Sequence, residues 1–399
     1  MTGAIFQTFG EAYQSLVRTV REHGVEASPR GKAVSELRWP QMWHITNPSR
    51  WPVFISGRAL NPFFALAEVV WMWSGKGGAE FITFYNKSIS QFLDEGIPYF
   101  HGSYGRRVRH YGYDEHPFRK IPSNRAQPGT GAGSFPVEVD QLFHVLRKLR
   151  QDPHTRQAVV SLWDPIKDNL VSSKDHPCNN ILYFQQRDGA LHITIVRRSN
   201  DVIWGVPYNM CQFTHLHALM AGELELKQGH YTVMANNLHA YHDLYPETYE
   251  LVNQWAFNKK PQEIHNTYRD WSWDMDGWGL HAFTKFITSY WEPFEQVSRR
   301  RLDADAGEDN NPFYEMQRIM LMGQVKMRAI PQYWCDLFLT LLAYHAAKAK
   351  AYDVFKEIFT HLPSPLQWLI VDFWGKKDFI QDMATAELAE SLERIYKNA

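Results

Sequence analysis

Two β-rich runs, residues 181–186 and 191–196, are joined across Arg187-Asp188-Gly189, and an Asp-Gly pair between such runs is a strong hairpin signal. The hairpin commits the middle of the chain to antiparallel pairing. Polar chemistry gathers at its open end. Asp175-His176-Pro177-Cys178-Asn179-Asn180 leads into the first run, and Arg197-Arg198-Ser199-Asn200-Asp201 closes the second. A continuous apolar run over 158–163 reads as a buried strand before the hairpin, and 229–235 reads as a further strand after it.

Phe6, Phe9, Tyr13, Leu16, Val17 and Val20 recur at helical spacing, so residues 3–23 read as an amphipathic helix. Residues 62–74 are apolar nearly all round, the pattern of a buried helix, with one carboxylate, Glu68, inside. Helices are also expected over 137–150 and 210–221. Residues 117–136 concentrate Pro, Gly, Ser and Asn without apolar periodicity and read as an exposed loop. The charged stretch 298–311 reads as a linker. It places a boundary near 300, between a main domain over 1–300 and an all-helical extension over 301–399. In that extension 313–322, 333–359 and 365–374 have helical spacing, with Pro331, Pro363 and Pro365 as breakers.

Lys and Arg total 42 against 43 Asp and Glu, a net charge of −1. No overall field recruits nucleic acid or an anionic membrane, so any basic site is local. The three cysteines, Cys178, Cys211 and Cys335, cannot build a disulfide framework and show no CxxC spacing, which points to a reducing, cytoplasmic compartment. Residues 1–10 lack the basic start and apolar run of a signal peptide. The most apolar stretch, 333–347, is broken by Asp336, Thr340 and His345 and is shorter than the ~20 apolar residues of a membrane span. His215 and His217 stand two apart on a helix and do not face one metal, so no metal site is expected. Cys211 and Cys335 lie on apolar helical faces and read as core.

Cys178 stands before a strand, where Pro177 would fix a turn and hold the thiol at a strand edge. It is either a packed cysteine or a nucleophile, and a thiol with ordinary pKa of ~8.5 needs cationic neighbours to become a useful thiolate. Arg198 with the adjacent Ser199 hydroxyl suits a phosphate, because the guanidinium fork makes paired charge-assisted hydrogen bonds. Arginines on a solvated strand end are the alternative. Glu68 could equally be a core carboxylate, Tyr104 a turn aromatic and His239 a packed strand-end histidine.

Taken together, the order and spacing of Pro177-Cys178, of Arg198-Ser199-Asn200-Asp201 through Gly205, Pro207, Tyr208 and Asn209, and of His239-Ala240-Tyr241 resemble thymidylate synthase and its nucleotide hydroxymethylase relatives. Upstream, Glu68 with Trp71 and the pair Tyr104-Gly105 are similar to further family motifs. The resemblance covers roughly residues 3–296. It implies an α+β fold with a bent mixed sheet flanked by helices, paired in a twofold homodimer. It implies a catalytic Cys178 adding to C6 of a pyrimidine nucleotide. Arg30, Arg198 and Ser199 would hold the phosphate, and Arg156 would cross to the partner's site. The family's second arginine there is replaced by Gln157.

The same resemblance implies that Asn209 reads the base, since one amide satisfies the O4 acceptor and N3 donor of uracil together. A cytosine reader usually carries aspartate there, so the asparagine favours a uracil nucleotide, dUMP. His239 and Tyr241 would hold the sugar hydroxyl and Asp201 the pterin ring of 5,10-methylenetetrahydrofolate. Glu68 and Tyr104 would order water and move the C5 proton. After one-carbon transfer, hydride from the folate gives a methyl product and water gives a hydroxymethyl one. Ser90 stands where a synthase sets a shielding tryptophan. The chain also continues past the core, where a synthase closes its site with a short apolar C-terminus. Both features, with Gly229-His230-Tyr231 through His239, resemble the phage and biosynthetic branch and imply hydroxymethylation. Thymidylate synthesis, hydroxymethylation of a cytosine nucleotide and a non-catalytic nucleotide-binding scaffold are the alternatives.

Overall fold

The computed structural model describes residues 3–112, 138–260, 263–264, 274–303, 313, 316, 330–374 and 377–381. The loop expected over 117–136 and most of the helix expected over 313–322 lie outside them. Ten strands are described: β1 (Ala4–Phe6), β2 (Val25–Ala27), β3 (Val34–Glu36), β4 (Gln41–Ile45), β5 (Val159–Ser161), β6 (Asn179–Arg187), β7 (Ala190–Arg197), β8 (Asn200–Asp201), β9 (Lys227–Ala235) and β10 (Leu238–Tyr241). They form a mixed six-stranded sheet in the order β1-β4-β9-β7-β6-β5 and a four-stranded sheet in the order β2-β3-β10-β8. The fold is α+β, as expected.

The hairpin forms as β6 and β7, paired antiparallel from Asn179–Arg197 to Arg187–Ala190. Asp188 and Gly189 sit at φ of 51° and 73°, the left-handed pair a two-residue turn needs to match strand twist. At its open end the register slips between Asn179 and Ile181. The extra residue, Asn180, bends the strand immediately after Cys178.

Two connections cross together from one sheet to the other. β7 passes through Arg198-Ser199 into β8, and β9 passes through Asn236-Asn237 into β10. β7 and β9 are parallel, and so are β8 and β10. The crossing is stitched by Asn236 N donating to Arg197 O and Asn200 N donating to Asn237 O, each at 2.8 Å. This bend sets Arg198 and Ser199, in the β7 to β8 connection, beside His239 on β10 at one cleft.

Behind the bend, helix Pro62–Trp73 is buried at every position. Asn61 caps it by accepting from Phe64 N at 3.0 Å, and Pro62 takes the first turn, where no N–H is needed. Helix Gly205–Glu223 is buried from Val206 to Ala221 except at Asn209. Both lack a polar stripe because each is covered on all sides.

The structure corrects the expected opening helix. Residues 4–6 are β1, pairing in parallel with β4, and the helix begins at Phe9 behind a Thr8 to Glu11 capping box. The stretch read as a linker is helical over its first part, since helix Glu292–Asp303 runs through residue 300 and Ser298 is fully buried. Helix Gln332–Lys348 is buried from Tyr333 to Ala347. The Tyr333 hydroxyl accepts from Trp51 Nε1 at 2.9 Å and meets His215 Nε2 at 2.6 Å. His345 bonds Tyr85 and Ser298 on its two ring nitrogens. The C-terminal helices therefore share one core with the sheets. Among the described residues no helix is long and apolar enough to cross a membrane.

Candidate active site

Cys178 lies half-buried between the Pro177 turn and the β6 bulge. Its thiol is 3.7 Å from Arg198 Nη2. The same guanidinium donates to Pro177 O at 2.9 Å and His176 O at 3.0 Å, and Arg198 N donates to Cys178 O at 3.0 Å. Arg198 thus grips the turn that carries the thiol. From the other side the Tyr104 hydroxyl meets Cys178 N and Asn179 N at 3.1 Å and Asn179 Nδ2 at 2.7 Å. Tyr104 opens a short helix, Tyr104–Arg109, rather than a simple turn, and burial raises its pKa. Its hydroxyl is engaged in fixing the backbone at Cys178 and Asn179.

Burial pushes the Cys178 thiol pKa up, while Arg198, Arg197 and Arg30 pull it down and Asp175 adds to the rise. Without substrate, desolvation thus opposes the cations expected to favour the thiolate. Arg198 remains the group placed to stabilise the thiolate as it forms.

Arg30, Arg198, Ser199, His239 and Tyr241, all expected at the substrate, line one cavity of about 410 Å3, with Glu36, Trp163, His176 and Asn237 among its other walls. That volume falls within the ~300–1,000 Å3 of small-molecule sites. Arg30 is held at φ 52° in the Pro29–Gly31 turn. His239 Nδ1 is 2.8 Å from Asn237 Oδ1, and burial lowers the His239 pKa against the pull of Asp201.

Asp201 faces His239 across the β8 to β10 register. Its carboxylate accepts from Ile203 N at 3.0 Å and Trp204 N at 3.1 Å, holding the turn into helix Gly205–Glu223. Burial raises its pKa, opposed first by His239. Two backbone bonds leave carboxylate lone pairs for further donors, and the buried Trp204 Nε1 and Asn200 Nδ2 nearby have no partner. Unspent donors and acceptors of this kind fit the polar edge of a pterin.

Asn209 is half-buried in the first turns of that helix. Its Oδ1 accepts from Arg197 Nη1 at 3.4 Å and its Nδ2 donates to Gln212 Oε1 at 3.3 Å. Gln212 in turn hydrogen-bonds Glu68. Glu68 is buried, its Oε2 has no partner, and burial pushes its pKa up to about 8 against the Gln212 bond. A carboxyl with that pKa can give and take protons near neutral pH.

Arg156 stands apart: it is exposed before β5, the edge strand, and does not line the cavity. Ser90 is exposed, its hydroxyl turned back to Lys87 O at 2.8 Å. Cys211 and Cys335 are buried, as expected of core residues.

Sequence reasoning missed Arg197 and Gln212. The spacing of Asn209 and Gln212, three apart on a helix and so on one face, was the available signal. It also missed the close approach of His101, Asp168 and His176, whose potential ligand atoms lie within 4.8 Å of one another. Asp168 is already filled by Arg107 at 2.6 and 2.7 Å, by Asp164 N at 2.7 Å and by His101 at 2.9 Å. The arginine supplies the countercharge a cation would otherwise bring.

The thymidylate synthase family model matches residues 11–276, more than half of the chain, and this protein belongs to that family. Among curated proteins it is 37% identical over 238 residues to the deoxyuridylate hydroxymethyltransferase of Bacillus phage SP01, covering 59% of this chain and 57% of that protein. It is 30% identical over 223 residues to the protein of the same name from Pseudomonas phage M6, covering 55% and 56%. A shorter match, 31% over 103 residues, joins it to the thymidylate synthase of Mycoplasma genitalium, covering 26% of this chain and 35% of that one. The chain thus spans a little over half the length of the phage relatives.

Proposed function

We propose that this protein transfers a one-carbon unit to C5 of dUMP and releases 5-hydroxymethyl-dUMP. The observation that carries the reading is the double position of Arg198: it lines the cavity with Arg30, Ser199, His239 and Tyr241 and lies 3.7 Å from the Cys178 thiol. A phosphate and sugar seated in that cavity set the base beside the sulfur. 5,10-Methylenetetrahydrofolate, held against Asp201, supplies the one-carbon unit.

Cys178 adds as a thiolate to C6, and the electron pair of the C5–C6 bond moves toward C5 and O4, making C5 the nucleophile. Asn209 donates to O4 and accepts from N3–H, so it stabilises the enolate charge that forms in this step. The C5 proton leaves through the water held by Glu68, whose pKa near neutral suits both directions of transfer. C5 bonds to the one-carbon unit as that unit's C–N bond to the folate breaks, with tetrahydrofolate as the leaving group. Once the C5 proton is lost, water adds to the exocyclic methylene left on C5, and Cys178 departs from C6 as the ring double bond re-forms. The hydroxymethyltransferase names of the phage relatives favour this outcome over a methyl product.

The outer face of the six-stranded sheet supports a homodimer. Ile5, Met42, Val159, Tyr183 and Met234 are exposed on its strands, and grouped apolar exposure of this kind marks a protein contact surface. A second copy covering it would bring Arg156, beside the edge strand, toward the partner's cavity. We assign catalysis to residues 1–300 and a supporting role to the helical extension over 301–399. Three free cysteines suit the cytoplasm.

Incubation with dUMP and 5,10-methylenetetrahydrofolate, followed by product mass and dihydrofolate absorbance, tests the reading. A hydroxymethyl product without dihydrofolate is expected. A methyl product with stoichiometric dihydrofolate would replace it with thymidylate synthesis, and turnover of dCMP in preference to dUMP would overturn the uracil assignment.

A further inference from the structure

Among the described residues, a carboxylate of the helical extension grips the segment around Arg58. Asp372, on helix Ser364–Trp374, accepts from Gly57 N at 2.7 Å on one oxygen and from Ala59 N at 2.8 Å on the other. Gly57 and Ala59 both sit in the left-handed region, at φ 80° and 53°. Glycine takes this conformation freely, whereas an alanine adopts it only when its surroundings hold it there. Asp372 is what holds it.

Between the two sits Arg58, 5% exposed. Its Nη2 donates to Ile203 O, and its guanidinium lies over the Trp204 ring at 5.8 Å. Asp201 binds the N–H groups of the same two residues, Ile203 and Trp204. The 201–204 turn is thus gripped by Asp201 through its N–H groups and by Arg58 through a carbonyl and a ring face.

We infer that Asp372 is a positioning residue for the folate side of the active site, acting through Arg58 on the Asp201 to Trp204 turn. This rests on the reading of Asp201 as the pterin carboxylate. The extension then supplies the site with a fixed strut, and its removal loosens folate contacts before nucleotide contacts.

The test compares Asp372→Ala, Asp372→Asn, Arg58→Met and the double variant Asp372→Ala/Arg58→Met as full chains. Steady-state KM values for 5,10-methylenetetrahydrofolate and dUMP are measured beside amide hydrogen exchange over 201–204. Asp372→Ala should raise the folate KM roughly tenfold, the scale of a displaced positioning group, and move the dUMP KM much less. Exchange over 201–204 should quicken, Asp372→Asn should fall between, and the double variant should match Arg58→Met alone. An unchanged folate KM, a parallel rise in both KM values, or additive losses in the double variant would each overturn the proposal. Should Asp372→Ala fail to fold, Asp372→Asn and Arg58→Met carry the same comparison. If the wild-type protein shows no folate dependence at all, the functional reading fails; unaltered exchange over 201–204 in Asp372→Ala is the separate failure of the strut.

Discussion

Asn209 Nδ2 donates to Gln212 Oε1 at 3.3 Å, while Asn209 Oδ1 faces the Arg197 guanidinium at 3.4 Å. These two contacts fix which end of the amide is donor and which is acceptor. A reversed amide would turn its NH2 against a guanidinium and its oxygen against another oxygen. On the proposed function, this orientation offers a donor to O4 and an acceptor to N3–H of uracil; cytosine, with its N4 amine and bare N3, would need the opposite.

Replacing Gln212 with leucine should therefore relax the choice of base. The dUMP KM is expected to rise about tenfold, the cost of leaving a buried polar partner unpaired, and the preference for dUMP over dCMP to shrink. Competition between the two nucleotides in one reaction checks this. Retained discrimination at wild-type strength would show that Asn209 is oriented by something else.

Glu68 yields a prediction about pH. Its folded pKa of about 8 lies above the ordinary 4.5, so between these values the folded chain holds a proton that the unfolded chain has released. Stability from this group is fully present below 4.5 and is lost as pH rises toward 8. Glu68→Gln is neutral throughout and loses nothing. The melting temperature of the variant should gain on that of the wild type as pH rises from 5 to 8. Glu295 and Asp336, raised to about 7 by burial, contribute alike to both proteins and cancel. A gap that stays constant with pH would place the Glu68 pKa at its ordinary value.

Local chemistry was legible in the sequence and long-range chemistry was not. The hairpin announced itself through Asp188-Gly189, and helix Pro62–Trp73 through its unbroken apolar run. Strand β1 was hidden because Phe6 falls in helical register with Phe9 and Tyr13, while its partner β4 lies some forty residues on. Cys178, Arg198 and Asn209 stood out because short motifs carry them in a fixed order and spacing along one stretch of chain. Arg58 was invisible because its role depends on Ile203, 145 residues away, and on a turn held by Asp372 from more than 300 residues away. Arg197 read as one of two similar arginines until burial separated them: it points inward to Tyr231 at 3.1 Å, and Arg198 points to the cavity.

Arg156 tests the proposed dimer. If it serves the partner's phosphate, Arg156→Ala and Cys178→Ser chains are each inactive as homodimers, yet a hybrid of the two contains one complete site. Unfolding and refolding an equal mixture should restore about one quarter of wild-type activity, the share of complete sites in random twofold pairing. Hybrids that form, as read by native mass spectrometry, but stay inactive would place Arg156 at its own chain's site or outside catalysis.

The account turns on sulfur attack at C6, which makes the C5 hydrogen of the bound nucleotide labile. The most direct measurement is release of tritium from [5-3H]dUMP by the wild-type protein and by Cys178→Ser. Wild-type protein should release the label, faster as pH rises and the Cys178 thiol ionises, and the serine variant should fall to background while still binding dUMP. Release by Cys178→Ser at the wild-type rate would contradict the account.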